Sequence, residues 1–133
     1  MIYLDANVFV YSAINNGELG ERSRVLLRKV AKNEISACTS VLTCDEVVYA
    51  IRKKAGAEIS AIEGGKLIRF NGLKWFKSDE NILLMAQEII ETKNLKPRDA
   101  IHAATAILNG CKEIISDDSD FDKVKELKRT KIK

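Results

Sequence analysis

The 133-residue sequence contains few of the residues that form disulfide or zinc sites, with three cysteines and one histidine. The cysteines are Cys38, Cys44 and Cys111, no two of which are separated by only two residues. His102 alone leaves a cysteine/histidine zinc site short of ligands. We therefore expect the cysteines to be small core residues in a reducing cytosol.

Proline, glycine and long apolar runs are also scarce. One proline and seven glycines leave little room for linkers, and no apolar run approaches the roughly 20 residues that span a bilayer. No basic segment precedes the first apolar residues, and Asp5 interrupts them, so a signal peptide is not expected. Hydrophobic residues make up 46% of the chain and charged residues 31%, which are globular values. We expect residues 1–133 to form one soluble, cytoplasmic domain with no membrane partner.

The net charge of +3 is mild, but the basic residues are clustered. Residues 123–133 contain six Lys or Arg and one Glu, and Arg52, Lys53 and Lys54 are consecutive. Arg22, Arg24, Arg28, Lys29 and Lys32 recur along one predicted helix. Such clusters either contact phosphates or form an ordinary solvated helix surface, and both interpretations stay open here.

Short apolar segments alternate with helical patterns along the chain. We predict strands at 2–4, 34–39, 73–77, 113–116 and near 130–132, with helices between them and a short helix over 121–127. This alternation predicts an α/β fold with a mainly parallel sheet. Ligands of such sheets bind beyond the carboxyl ends of the strands. Asp5 follows the first strand and the acids of 117–120 follow the fourth, so both should reach that edge.

Asp5, Glu46 and Asp99 each lie beside an apolar segment, and each can be explained without a bound cation. Asp5 can cap the helix that follows it. Glu46, inside a predicted helix, can pair at the surface with Arg52 or Lys53. Asp99 lies in the first turn of a helix that begins at Pro97, where the helix dipole alone favours an acid.

The densest acidic segment is 117–122, with four aspartates in six residues. Their mutual repulsion is relieved by a cation or by a helix N-terminus. We expect Asp120 and Asp122 to serve the start of the helix near Phe121, which leaves Asp117 and Asp118 freer. His102, three residues after Asp99, is either a proton shuttle or a packed structural residue.

Four segments, in this order, resemble the PIN-domain family of metal-dependent ribonucleases, and specifically its VapC-like branch. They are the opening strand into Asp5-Ala6-Asn7, the helical segment 40–47 with Glu46, the segment 96–104 (KPRDAIHAA), and the segment 114–121 (IISDDSDF). The third is the most specific, because it is similar to the family's aspartate at the head of an alanine-rich helix. The order and spacing agree over essentially the whole chain.

The resemblance implies a single PIN-like domain with about five parallel strands and helices on both faces of the sheet. The family's acidic quartet then falls on Asp5, Glu46, Asp99 and Asp118. Further implied site residues are Asp120 as a fifth acid, and Asn7 and Ser116 as small polar residues near the metal. Asp117 departs from the family pattern as an extra, auxiliary acid, which can displace the fourth ligand by one position. Carboxylate and water ligands suit Mg²⁺ or Mn²⁺.

The function implied is that of an endoribonuclease leaving a 5′-phosphate, the toxin of a toxin–antitoxin pair, with an antitoxin partner and a homodimeric state. Arg98, Arg52 and the C-terminal lysines are expected to hold the RNA backbone. The alternatives are a stand-alone RNA-processing PIN nuclease and a PIN-like domain that binds RNA or a partner without cleavage. A phosphatase of the haloacid-dehalogenase type also begins with a strand ending in Asp, but it requires a second Asp where this chain has Asn7. A receiver-like signalling domain requires a lysine directly after a late strand. This sequence has none in that place, although Lys112 is near such a strand.

Overall fold

The centre of the fold is a parallel sheet of five strands. A computed structural model describes residues 1–132, and the strand order across the sheet is β3-β2-β1-β4-β5. All four neighbouring pairs are parallel. The strands are β1 (Ile2–Leu4), β2 (Ala37–Ser40), β3 (Leu73–Phe76), β4 (Glu113–Ile115) and β5 (Lys128–Thr130).

Helices cover both faces of the sheet. They are α1 (Ala6–Ile14), α2 (Glu18–Ala31), α3 (Val41–Ala55), α4 (Ala57–Ile68), α5 (Glu80–Lys93) and α6 (Pro97–Leu108), with a short 3₁₀ helix, η1, at Ser119–Lys123. Helices α1 to α4 contribute to one apolar cluster and α5, α6 and η1 to the other. These positions confirm the predicted α/β fold.

The strand pleat assigns successive residues to opposite clusters. Tyr3 packs with the α5–α6 cluster and Leu4 with the α1–α4 cluster, and Ile114 and Ile115 divide in the same way. Short strands with both faces apolar therefore form the middle layer of a three-layer fold.

Several predicted boundaries were wrong by a few residues. The second strand begins at Ala37 rather than at 34, because the amides of Glu34 and Ile35 donate to the carbonyl of Lys29 and close the end of α2. The fifth strand lies at Lys128–Thr130 rather than near 130–132, since the amide of Lys128 already donates to the carbonyl of Lys112. The expected helix over 121–127 is only the 3₁₀ helix at Ser119–Lys123.

The starts of two helices are defined by their caps. Helix α2 begins at Glu18, after Gly17, and contains Gly20. Asp79 caps α5, because its carboxylate accepts from the amide of Ile82 at 3.0 Å. Helix α4 continues through Gly64, where an added Cβ would lie 2.8 Å from a methyl group of Val48. Glycine there permits the close approach of α4 to α3.

Two of the three cysteines lie in the core. Cys38 and Cys111 are buried with their Sγ atoms 3.3 Å apart.

The arginines of α2 form ion pairs within that helix. Arg24 and Arg28 pair with Glu21, and Arg22 pairs with Glu18. The three arginines of α2 thus have counter-charges on their own helix. None of the helices within residues 1–132 combines the length and the apolar character needed to cross a membrane.

Gly72, in the turn before β3, offers a direct test of this architecture. It adopts a φ of +83°, and a Cβ there would lie 2.4 Å from the carbonyl oxygen of Val30. Gly110 has a similar φ of +80° with nothing within 4 Å. We expect Gly110→Ala to lower the free energy of unfolding by roughly 1–2 kcal/mol, and Gly72→Ala by roughly 2–4 kcal/mol because a backbone carbonyl must also move. Urea unfolding measures both, and equal losses would contradict the close approach of this turn to α2.

Candidate functional site

Asp5 lies at the carboxyl end of the central strand and is only 7% exposed. One of its carboxylate oxygens accepts from the amide of Ala6 at 2.8 Å, so Asp5 caps α1. The other accepts from the hydroxyl of Ser116 at 2.6 Å. Burial raises the pKa of Asp5, and the charge of His102 and these two hydrogen bonds partly offset the rise. The carboxylate of Asp5 therefore caps α1 and also forms part of the candidate site.

Ser116 connects the ends of the two neighbouring strands β1 and β4. Besides donating to Asp5, its hydroxyl oxygen accepts from the amide of Asp118 at 3.0 Å and from the side chain of Asn7 at 3.4 Å. The side-chain oxygen of Asn7 is buried and has no hydrogen-bond partner among residues 1–132. An acceptor oxygen of this kind is costly to bury unless a donor or a cation occupies the space beside it.

Three aspartates converge at the same edge of the sheet. One carboxylate oxygen from each of Asp99, Asp118 and Asp120 lies within 4.8 Å of the others. Asp118 also caps η1, accepting from the amide of Asp120 at 2.9 Å. Asp120 and Asp122 lie in the first turn of η1, as expected, but Asp118 supplies the side-chain cap. Asp122 also binds the guanidinium of Arg129 at 2.9 and 3.0 Å.

Asp117 interacts with Tyr11, at the margin of the cleft, and does not line the cleft itself. Burial, followed by the charge and hydrogen bond of Asp117, raises the pKa of Tyr11 on α1. Asp118, in contrast, lines the same cleft as Asp5 and Asp99. The structure therefore brings Asp118 rather than Asp117 towards the other acids.

Glu46 completes the acidic lining of this cleft. The cleft has a volume of about 340 Å³, and four of its lining residues are Asp5, Glu46, Asp99 and Asp118. Glu46 does not pair with Arg52 or Lys53. Its carboxylate accepts from Nε2 of His102, while the neighbouring Asp45 is exposed.

His102 is completely buried, and both of its ring nitrogens have partners. The hydroxyl of Tyr3 lies 2.5 Å from Nδ1, and Glu46 bonds to Nε2. Burial by itself lowers the pKa of His102, but the hydrogen bond and charge of Glu46, with the charges of Asp5 and Asp99, outweigh it and raise the pKa. A positive or hydrogen-bonded imidazole behind the acids partly compensates their charge.

The crowding of the acids has a large effect on the pKa of Asp99. Burial, followed by the charges of Asp118, Asp5 and Glu46, raises its pKa to about 6. The arrangement suits a hard divalent cation, because every converging donor is an oxygen. A bound cation neutralises the repulsion that otherwise favours a proton on Asp99.

Basic side chains flank the acids on two sides. Lys54 lines the first cleft. Lys96 and Arg98 line a second cleft of about 510 Å³, which shares Glu46, Asp99 and Asp118 with the first. The sequence prediction named Arg52 from the same cluster, but Arg52 lines neither cleft. Lys54 is four residues after Ala50, which lines the same cleft, so the two lie on one side of α3.

The raised pKa of Asp99 predicts a pH dependence of the metal-free protein. Its folded pKa of about 6 exceeds the ordinary value of 3.8, so the folded state holds a proton that the unfolded state has released between these values. We therefore expect metal-free stability to fall as the pH rises from about 4 to about 6.

Carboxyl ¹³C NMR of aspartate-labelled protein provides the measurement. One aspartate should titrate near 6. This signal should disappear in Asp99→Asn, and it should titrate at lower pH in Asp118→Asn, because after burial the charge of Asp118 contributes most to the raised pKa of Asp99. A midpoint of Asp99 near its ordinary value would show that the acids do not interact as described.

Solved structures with the same fold include three of bacterial toxin–antitoxin proteins. The toxin VapC20 of Mycobacterium tuberculosis, which cleaves the Sarcin-Ricin loop, aligns with a TM-score of 0.76 at 13% identity, over 92% of this chain and 93% of that one. A chain of VapBC2 from Rickettsia felis, bound to a promoter DNA fragment, aligns at 0.75 and 20% identity, over 98% of each chain. A chain of DNA-bound VapBC from Salmonella typhimurium aligns at 0.75 and 18% identity, over 98% of this chain and 96% of that one.

At these identities the structural likeness establishes the fold alone. No curated protein sequence matches the chain. A family model does, and it describes the PIN domain over residues 2–127, which is nearly the whole length of the sequence. The chain therefore belongs to the PIN domain family.

Proposed function

We propose that this PIN protein is a Mg²⁺- or Mn²⁺-dependent endoribonuclease of the cytoplasm, and that it is the toxin of a type II toxin–antitoxin pair. The observation that carries the nuclease proposal is the cleft in which Asp5, Glu46, Asp99 and Asp118 meet. These acids come from four separate parts of the chain, and the fold holds them close together despite their mutual repulsion. In a nuclease this arrangement serves to bind the cation that the reaction requires.

The proposed cation ligands are Asp5, Glu46, Asp99 and Asp118, with Asp120 as a further acid beside Asp99 and Asp118. Ser116 and Asn7 support them, since Ser116 orients Asp5 and the unpartnered oxygen of Asn7 is a second neutral acceptor. When bound, the cation neutralises charge on the scissile phosphate and makes water a better nucleophile. The residues of the chain orient that chemistry, and Asp99 must lose its proton to take part.

The RNA backbone is proposed to cross the acids between the two basic sides of the site. Lys54 and Arg98 are both exposed, and neither forms an ion pair with an acid within residues 1–132. Side chains of this kind are free to contact phosphates on either side of the scissile bond. Arg52 and the C-terminal lysines are proposed as outer contacts.

The proposed protein partners are an antitoxin and a second copy of this chain. The VapBC relatives were solved as complexes with their DNA, which supports an antitoxin for this chain. Large apolar side chains are exposed on α4 and α5, among them Ile62, Ile68 and Leu84 at 53%, 63% and 71%. Such surfaces are typical of contact with another protein. An adjacent short gene for a DNA-binding antitoxin distinguishes this proposal from a stand-alone RNA-processing PIN nuclease.

Substitution of the acids tests the cleavage proposal. We expect Asp5→Asn and Asp99→Asn each to reduce Mg²⁺-dependent cleavage of single-stranded RNA by at least roughly 100-fold, because the loss of one ligand charge weakens transition-state stabilisation by about 3 kcal/mol or more. The fold should survive, since an asparagine oxygen at position 5 still accepts from the amide of Ala6.

Asp45→Asn is the matched control, because Asp45 is an exposed acid next to Glu46 on the same helix. Its cleavage rate should equal that of the unsubstituted protein. Full Mg²⁺-dependent cleavage by both Asp5→Asn and Asp99→Asn would refute the proposed site.

The salt dependence of cleavage tests the basic sides of the site. We expect Lys54→Ala and Arg98→Ala each to raise KM and to reduce the slope of log kcat/KM against log salt by about 0.7, the value for one phosphate contact of a single strand. Lys29→Ala is the control, since Lys29 is exposed in the last turn of α2, at the opposite edge of the sheet. A slope change for Lys29→Ala equal to those of the other two would mean that the charge acts without regard to position.

A further inference from the structure

A buried chain of hydrogen bonds runs behind the acids. The hydroxyl of Tyr3 and Nδ1 of His102 are 2.5 Å apart, and Nε2 of His102 bonds to the carboxylate of Glu46. Tyr3 and His102 are both 0% exposed. Only Glu46, at the end of this chain, reaches the cleft. A fully buried histidine with both nitrogens bonded is held in one ring orientation.

These hydrogen bonds, from Tyr3 through His102 to Glu46, link the three elements that supply three of the proposed ligands. Tyr3 is on β1, two residues before Asp5. His102 is on α6, three residues after Asp99, and Glu46 is on α3. A shift of any one of these elements relative to the others would break a bond of the chain. The bonds therefore report, and restrain, the relative positions of three acids that are far apart in sequence.

The proton arrangement follows from the partners of His102. An ionised carboxylate only accepts hydrogen bonds, so the nitrogen that faces Glu46 must carry a hydrogen. The hydroxyl of Tyr3 can donate to a bare Nδ1 or accept from a protonated one. His102 thus donates to Glu46 through Nε2 whether the imidazole is neutral or charged, and its role does not depend on its titration.

We propose that His102 is a positioning residue, which holds the carboxylate of Glu46 among the other acids before a cation binds, with Tyr3 fixing the ring. Glu46 needs such a restraint. A glutamate side chain on a helix has several rotatable bonds, and the negative charges of Asp5 and Asp99 act at the same site. Without the donated bond, repulsion favours rotation of Glu46 towards solvent.

The position of His102 argues against a direct role in proton transfer to RNA. It does not line either cleft at the acids, and both of its nitrogens are bonded to protein groups. Its influence on the site therefore passes through Glu46. The inference rests on the proposed cation site, so the test begins with the unsubstituted chain.

The experiment measures Mn²⁺ binding to the full chain without RNA, by electron paramagnetic resonance, in four proteins. They are the unsubstituted chain, His102→Leu, His102→Gln and Tyr3→Phe. We expect His102→Leu to weaken Mn²⁺ binding by roughly 10- to 100-fold, the usual effect of removing a residue that supports a metal ligand. His102→Gln should restore most of the affinity, because its amide supplies an N–H donor near the position of Nε2. Tyr3→Phe, which removes only the hydroxyl, should weaken binding to a smaller extent.

Thr105→Val is the matched control for loss of a buried polar group. Thr105 is 0% exposed on the same helix, and its hydroxyl donates only to the carbonyl of Ile101, at 2.6 Å. Thermal unfolding in EDTA records the stability of every variant. We expect Thr105→Val to lower stability without changing Mn²⁺ affinity, so that a general loosening of α6 is separated from the loss of Glu46 positioning.

A double-mutant cycle with Glu46→Gln completes the test. In that background His102→Leu should cause no further loss of Mn²⁺ affinity, because the carboxylate that His102 holds is already gone. Equal affinity of folded His102→Leu and the unsubstituted chain, or an equal loss with and without Glu46→Gln, would overturn the positioning role and leave the proposed function standing. If His102→Leu does not fold, Tyr3→Phe decides in the same way: unchanged Mn²⁺ affinity, or an equal loss with and without Glu46→Gln, would overturn the positioning role. An unsubstituted chain that binds no Mn²⁺ would overturn the proposed function together with this inference.

Discussion

The burial and mutual repulsion of the carboxylates at one edge of the sheet are the constraint on which the rest of the structure depends. Asp5 and Asp99 both have raised pKa values, chiefly through burial. The fold answers this cost with groups that favour negative charge. Asp5 and Asp99 lie at the N-terminal turns of α1 and α6, where the helix dipoles are positive. The hydroxyl of Ser116 donates a hydrogen bond to Asp5, and the buried ring of His102 donates one to Glu46.

These compensations are partial, and that is consistent with a binding site rather than a purely structural cluster. A site fully neutralised by its own side chains has little to gain from a cation. Here the pKa of Asp99 stays at about 6, and an oxygen of Asn7 has no partner within residues 1–132. The apolar clusters on the two faces of the sheet supply the stability that allows this edge to stay strained. Binding of a cation to the folded state adds to that stability.

The sequence was informative where local rules and strand topology determine the outcome. Parallel strands put Asp5 and Asp118 at one edge, and this followed from their places after two apolar segments. The bond from His102 to Glu46 could not be predicted in this way, because the two residues are 56 positions apart and meet only when α3 and α6 pack on opposite sides of the site. The preference for Asp118 over Asp117 depends on the 3₁₀ turn that Asp118 caps. Lys54 was overlooked in favour of Arg52, because which of these neighbouring basic residues of α3 lines the cleft depends on how that helix packs beside α1.

The strand order has a consequence for the synthesis of this protein. The chain builds β1, β2 and β3 on one side of the sheet before it returns to add β4 on the other side of β1. Asp5 precedes its hydroxyl partner Ser116 by 111 residues. The acidic site is therefore incomplete on any nascent chain that ends before β4, however well its first half is folded. In the order in which the residues are synthesised, the acids can therefore meet only after β4 has joined β1.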